Sequence, residues 1–289
     1  MPTAAGWARM VEAFRAGLRQ HGYIEGKNVV IEFRWAEGKY ERLPALANEL
    51  VRLQVDVIVT HATAGVRAAK EATTSIPIVI AATGDAVSAG LVESLARPGG
   101  NITGSSFLGP TLAAKRLDLL REALPHVKRI GLVYNTGVGA PGSVQSVIDA
   151  AISRGLMVHR AGVGSVEELE GAFSGMAQAR VDAVLVNEDP MLVSSAKRIV
   201  ELSTRQRLPT MGFSQIAEAG GLMAFGASIV EMHRRAAYFV DRILRGAKPA
   251  DLPVEQPTTF ELLINAKAAA ALGTPIARSV LARADRILE

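Results

Sequence analysis

At 289 residues and a net charge of +4, the chain exceeds the usual size of one domain and suits two domains of similar size. Hydrophobic residues make up 49% of it and aromatics only 5%, the aliphatic balance of helices layered on parallel sheets. Basic residues are scattered (Arg9, Arg15, Arg19; Arg121, Lys128, Arg129; Arg234, Arg235), which argues against a nucleic-acid partner; the absence of cysteine excludes disulfides and thiolate metal sites, and no stretch approaches the ~20 apolar residues needed to cross a bilayer.

In chain order, the pattern predicts a helix over about Ala4–Gln20, a strand at Val29–Trp35, a helix at Tyr40–Leu53, a strand at Val55–Thr60 and a helix at Ala64–Thr73. Ile76–Ala82 is a short β-branched run entered through Pro77, as in a strand buried on both faces of a parallel sheet. Gly84-Asp85 ends it on a loop at a strand's carboxyl end, where open α/β sheets bind ligands. Helical spacing of Leu91, Val92 and Leu95 predicts a helix over Ala89–Ala96, stopped by Pro98-Gly99-Gly100-Asn101.

The second half repeats the scheme: strand Arg129–Asn135, helix Ser143–Arg154, strand Leu156–Ala161, helix Val166–Gln178, strand Val181–Asn187, helix Ser194–Arg207 and strand Leu208–Gly212. QVDVIVT (54–60) echoes RVDAVLV (180–186), and SIPIVI (75–80) echoes RLPTMG (207–212). Two such halves describe an α/β, two-lobed fold of the periplasmic-binding-protein kind, each lobe a doubly wound parallel sheet flanked by helices. The echo also exposes a difference. Strand 129–135 precedes the first helix of the second half, whereas the first half begins at the equivalent helix, so the chain reads as truncated ahead of it.

No catalytic constellation is visible. The five histidines (His21, His61, His126, His159, His233) have no partner at metal-ligand spacing, and neither a P-loop nor a G-x-S-x-G elbow occurs, so no metal, cofactor or catalytic residue is expected. GVGAPG (Gly137–Gly142) fits G-x-G-x-x-G after a strand, which leaves a nucleotide-dependent enzyme as one alternative; yet the next strand ends in Gly162-Val163-Gly164, without the acidic residue such a site uses. The remaining candidates are polar residues at strand ends: Thr60, His61, Thr63 and Asp85 in the first half, and Asn135, Thr136, Asn187, Glu188, Asp189 and Phe213-Ser214 in the second. Taken alone, each reads first as a helix cap or turn former and second as a ligand contact. As a set, Asp85 or Asp189 suits an ammonium group, the helix starts after Thr63 and Asn135 suit a carboxylate, and Phe213, Phe107 and Trp35 suit an aromatic face. Trp35 is read equally as packing beneath its loop.

Three ordered strings carry a family resemblance: GDAVSAGLVESLARPGGNITG (84–104), GLRQHGYIEGKNVVIEFRWAEGKYERLPALANELV (17–51) and RRAAYFVDRILRGAKPADLPVEQPTTFELLINAKAAAALG (234–273). They closely resemble the ABC-transporter substrate-binding proteins of the tryptophan- and tyrosine-binding type, departing at Ala86, where the family has proline. The resemblance implies a type I fold with three hinge crossings, near Phe107–Pro110, Gly220–Ala227 and Val254–Thr258. Lobe one is then 1–106 with a return segment 224–255, lobe two 107–223 with 256–272, and 273–289 a final helix (Ile276–Leu288) packed outside. It also implies a non-catalytic importer component that binds an amino-acid-like solute in the interlobe cleft by hinge closure. The implied partner is a membrane permease and the implied location, in the full-length form, periplasmic or cell-envelope. A monomer is expected, although an absent first strand favours chain–chain pairing or a weaker first lobe. A ligand-sensing domain of a transcriptional regulator is the other alternative, with no room for a helix-turn-helix ahead of residue 1.

Overall fold

The computed structural model describes residues 7–107, 109–137 and 141–289. The expected start of the first helix at Ala4, the tip of the Gly137–Gly142 loop and part of the 107–110 crossing therefore lie outside the described residues. The chain divides into two units, Met1–Leu108 with Ala227–Thr258, and Gly109–Gly226 with Thr259–Glu289, so it passes between them three times.

The first unit opens with α1 (Ala8–Gln20), then α2 (Leu43–Arg52), β1 (Ile58–His61), α3 (Ala62–Ala72), β2 (Ile78–Thr83) and β3 (Ile102–Ser106). Its sheet runs β1-β2-β3, all parallel, with Ile58 opposite Ile78 and Ile78 opposite Ile102. Every residue of β2 is buried, as a β-branched run covered on both faces requires. The second unit contributes α4 (Gly109–Ala123), β4 (Arg129–Asn135), α5 (Pro141–Ile152), β5 (Met157–Val163), α6 (Leu169–Gln178), β6 (Ala183–Val186), α7 (Pro190–Ser194), α8 (Ala196–Arg205), β7 (Thr210–Gly212), α9 (Ser214–Glu218) and β8 (Met223–Ala227). The chain then returns to the first unit as α10 (Ile229–Leu244) and finishes in the second as β9 (Phe260–Asn265), α11 (Ala266–Leu272), α12 (Arg278–Leu281) and β10 (Arg286–Leu288). The second sheet has the order β10-β9-β8-β7-β6-β4-β5. β4, the first strand of that half, lies inside it between β6 and β5.

Helix α1 buries Met10, Ala13, Gly17 and Leu18, a stripe at helical spacing, against α10, whose Ser228 cap accepts the Glu231 N–H. Contact is close enough that a Cβ on Gly17 would stand 2.4 Å from the Arg234 carbonyl oxygen. With α10 on one face of β2, Phe239, Val240 and Ile243 pack on Val79 and Ala81; on the other face Val66, Ala69, Leu91 and Val92 pack on Ile78 and Ile80. The second unit has its own core around Leu117, Leu120, Ile130, Leu132, Leu185 and Ile264.

Three expected elements differ. Residues 30–35 form no strand: among the described residues no backbone–backbone hydrogen bond gives them a ladder partner. Ala89–Ala96 is not a helix. One turn closes from Asp85 to Ala89, after which Gly90 takes φ +67°, and Leu95 spends its carbonyl on Val254 N–H instead of a helical partner. Nor is 276–288 one helix; after α12 the chain pairs β10 in parallel with β9, Ile287 opposite Ile264, which gives its backbone groups a sheet partner.

Candidate functional site

In the first unit the predicted residues collect at the carboxyl ends of β1 and β2. Thr60 and His61 end β1, and the chain turns sharply into α3 through Ala62, which takes φ +58°, a strained conformation for a residue with a Cβ. No side chain caps α3, so its first N–H groups have no side-chain acceptor at this turn. The Thr63 hydroxyl lies 3.4 Å from that of Thr83 at the end of β2. Asp85 follows in a closed turn: its carboxylate accepts the N–H groups of Val87 (3.1 Å) and Ser88 (3.0 Å) and the Ser88 hydroxyl (2.7 Å). Burial acts to raise this carboxyl, but those hydrogen bonds outweigh it and hold the group below the ordinary carboxylate value.

His61 stacks on Trp7, ring centroids 4.0 Å apart, and lies 5.8 Å from the ring of His233 on α10. Burial, with the neighbouring His233, pushes the His61 imidazole well below its usual pKa; burial likewise lowers His233 to about 4. Both rings are therefore neutral at neutral pH. The Ile229 carbonyl 2.8 Å from His233 Nδ1 can only accept, which fixes the proton on Nδ1. Trp35, half-buried, stacks parallel to Phe33 with centroids 5.7 Å apart, and half-buried Phe107 donates its N–H to Thr83.

In the second unit the ends of β4 and β6 are joined directly. Asn135 Nδ2 donates to Asp189 Oδ1 (3.0 Å), and the same oxygen caps α7 by accepting Met191 N–H (2.8 Å). Asn135 Oδ1 in turn accepts Gly137 N–H (2.8 Å). Asn135 and Asp189 are each 8% exposed, so this Asp is mainly a cap and a strand-to-strand tie. Thr136 is exposed at the mouth of the loop, with its N–H on the Val163 carbonyl; Asn187 is half-buried, its N–H on the Val133 carbonyl. Phe213, expected to offer an aromatic face, is 2% exposed and belongs to the interior.

One member of this cluster left no signal at a strand end. Arg116, on α4, is buried; its Nη2 lies 3.1 Å from Glu188 Oε2 and its Nε donates to the Phe225 carbonyl (2.6 Å). Glu188 was legible as a strand-end carboxylate, but its partner sits 72 residues away on a helix face, and only the fold brings it there. Among the described residues no group of three potential metal ligands occurs, and no helix is long and apolar enough to cross a membrane.

Comparison with known proteins places this geometry in context. The family model for the ABC transporter substrate binding protein matches residues 5–288. The tyrosine-binding protein of Clostridioides difficile (strain R20291) is 30% identical over 257 residues, covering 88% of this chain and 73% of that protein. A crystal structure of a conserved domain protein from Vibrio cholerae superposes with a TM-score of 0.93 at 30% identity, covering 99% of this chain and 97% of that one. The ABC domain from Streptococcus pneumonia in complex with L-Trp gives 0.90 at 28% identity, covering 100% and 98%.

Proposed function

Because the chain belongs to the ABC transporter substrate-binding protein family, with its type I periplasmic-binding-protein fold and its binding rather than catalytic role, we propose that its solute is an aromatic amino acid. The observation that carries the reading is the match over residues 5–288 together with relatives named for tyrosine and bound to L-Trp. The two strand-end clusters support it chemically. The uncapped start of α3 offers N–H groups and a favourable dipole to a carboxylate, and the ionised Asp85 offers a counter-charge to an ammonium. Of the candidate polar residues, Thr60, His61, Thr63 and Asp85 gather at strand ends of the first unit and Asn135, Thr136, Asn187 and Asp189 at strand ends of the second, while the buried Phe213 supports its unit from within. Asn135 and Asp189 act by holding the ends of β4 and β6 in register, while Thr136 and Asn187 are the more available polar groups.

In this reading the partner is the membrane permease of an importer, and the protein works outside the cytoplasm at the cell envelope. Titration calorimetry with L-Trp, L-Tyr, L-Phe, L-Leu and benzoate tests the solute. Saturable binding of the aromatic amino acids is expected, and a ligand at 100 times its Kd adds about 2.7 kcal/mol of stability. Binding of benzoate with none of the amino acids would remove the ammonium subsite and with it the assignment of Asp85.

A further inference from the structure

Ser106 ends β3, and its place is set from both sides. It stands opposite Thr83 of β2, its N–H donates to the Glu255 carbonyl (2.9 Å), and the next N–H, of Phe107, donates to the Thr83 carbonyl (2.9 Å). The side chain is thereby delivered to the foot of the turn that carries Asp85. There its hydroxyl makes two hydrogen bonds, accepting the Ala86 N–H (3.1 Å) and donating to the Gly84 carbonyl (2.5 Å). Ser106 and Ala86 are 2% and 0% exposed, so the Ala86 N–H has no water to bond to instead.

The two bonded groups belong to different peptide units. The Gly84 carbonyl lies in the peptide before Asp85, and the Ala86 N–H in the peptide after it. One hydroxyl thus ties both planes, and with them the two soft backbone dihedrals of Asp85. Those dihedrals aim its carboxylate. The later peptide has a second anchor, since the Asp85 carbonyl accepts the Ala89 N–H (3.1 Å). Among the described residues no other hydrogen bond holds the earlier one. The far end of the turn is tethered from α3, where Lys70 Nζ donates to the carbonyls of Gly90 (2.7 Å) and Leu91 (3.2 Å).

We propose that Ser106 is a positioning residue for solute binding, its hydroxyl orienting Asp85 so that the carboxylate meets the ammonium of the solute. The inference rests on the reading of Asp85 given above. Loss of the hydroxyl leaves a buried N–H without an acceptor. The peptides around Asp85 then rotate to recover one, and the N–H groups of Val87 and Ser88 fall out of line with the carboxylate they now hold.

The test compares Ser106→Ala, with the near-isosteric Ser106→Cys in case the alanine variant unfolds, against Thr103→Val. The last removes another buried hydroxyl of β3, near the start of the strand, which donates to the Leu252 carbonyl (2.7 Å). Carbon-13 NMR follows the Asp85 carboxyl through an acid titration without solute, and titration calorimetry follows L-Trp. In the Ser106 variants the Asp85 midpoint is expected to rise toward the ordinary carboxylate value, and the L-Trp Kd to rise about tenfold, the worth of one hydrogen bond. Thr103→Val should lower the Tm and move neither. In a chain that binds L-Trp, an unchanged midpoint or an unchanged Kd in the Ser106 variants overturns the proposal. So does a Thr103→Val variant that moves both as far, because the effect is then general loosening of β3. If the native chain binds no aromatic amino acid, the solute reading fails, and the Asp85 midpoint still decides whether Ser106 orients that carboxylate.

Discussion

Arg116 and Glu188 form a nearly buried ion pair, 5% and 12% exposed at their side chains, and the guanidinium also holds the Phe225 carbonyl. Two desolvated charges stabilise little in net terms, but each depends on the other for compensation. Arg116→Met is therefore expected to destabilise the protein by about 3–5 kcal/mol in urea unfolding, because it leaves a buried carboxylate and an unpaired carbonyl. Removing both charges in Arg116→Met/Glu188→Leu should recover most of that loss. Equal losses in the single and double variants would mean the pair is not the cause. His233 sets a second expectation at this scale. Its folded pKa, about 4, lies below the unfolded value near 6.5, so the unfolded chain takes up the proton first as pH falls. The stability it contributes is present above pH ~6.5, is lost between about 6.5 and 4, and amounts to about 3 kcal/mol; His61, also depressed, adds to it in the same direction. Urea midpoints measured from pH 7.5 to 4.5 should fall for the native chain and fall less for His233→Gln. Parallel pH profiles for the two chains would refute the assignment.

At the scale of elements, the first unit depends on the contact between α1 and α10. Gly17 makes that contact possible, since a Cβ there would meet the Arg234 carbonyl at 2.4 Å and the Ala237 Cβ at 2.8 Å. Both neighbours are on the opposing helix, and the carbonyl is backbone that cannot swing aside. Gly17→Ala is expected to cost about 1–3 kcal/mol despite Ala's better helix propensity, because the helices must separate and loosen Phe239 and Val240 over β2. A higher Tm for this variant would show that the helices have room to adjust. Elements also explain where local pattern misled. Leu91, Val92 and Leu95 have helical spacing, yet Leu91 and Val92 reach the core from a turn, and Leu95 bonds its backbone to Val254 from a distant part of the chain. Val29–Trp35 has a strand's composition, but a strand exists only when a ladder partner is present.

Across the whole chain, the alternation of strands and helices, the duplication of the two halves, the buried character of β2 and the family are legible in the residues alone, since those follow from short-range periodicity and from ordered strings. Strand ends were legible for the same reason, which is why Thr60, His61, Asp85, Asn135 and Asp189 could be named in advance. Tertiary structure alone decided what those side chains do. Asp85 and Asp189 look alike in sequence, but one closes an exposed turn while the other is buried as the cap of α7 and the partner of Asn135. Phe213 looked available and is buried; Arg116 looked like an ordinary helix residue and is a buried partner of Glu188 and the Phe225 carbonyl. Residues 276–288 became part strand because β9 offered an edge beside them. The physical reason is common to all of these. Propensity and periodicity act within a few residues, whereas hydrogen-bond partners, burial and the pairing of sheet edges are set by segments tens to hundreds of positions apart, and no local signal carries their identity.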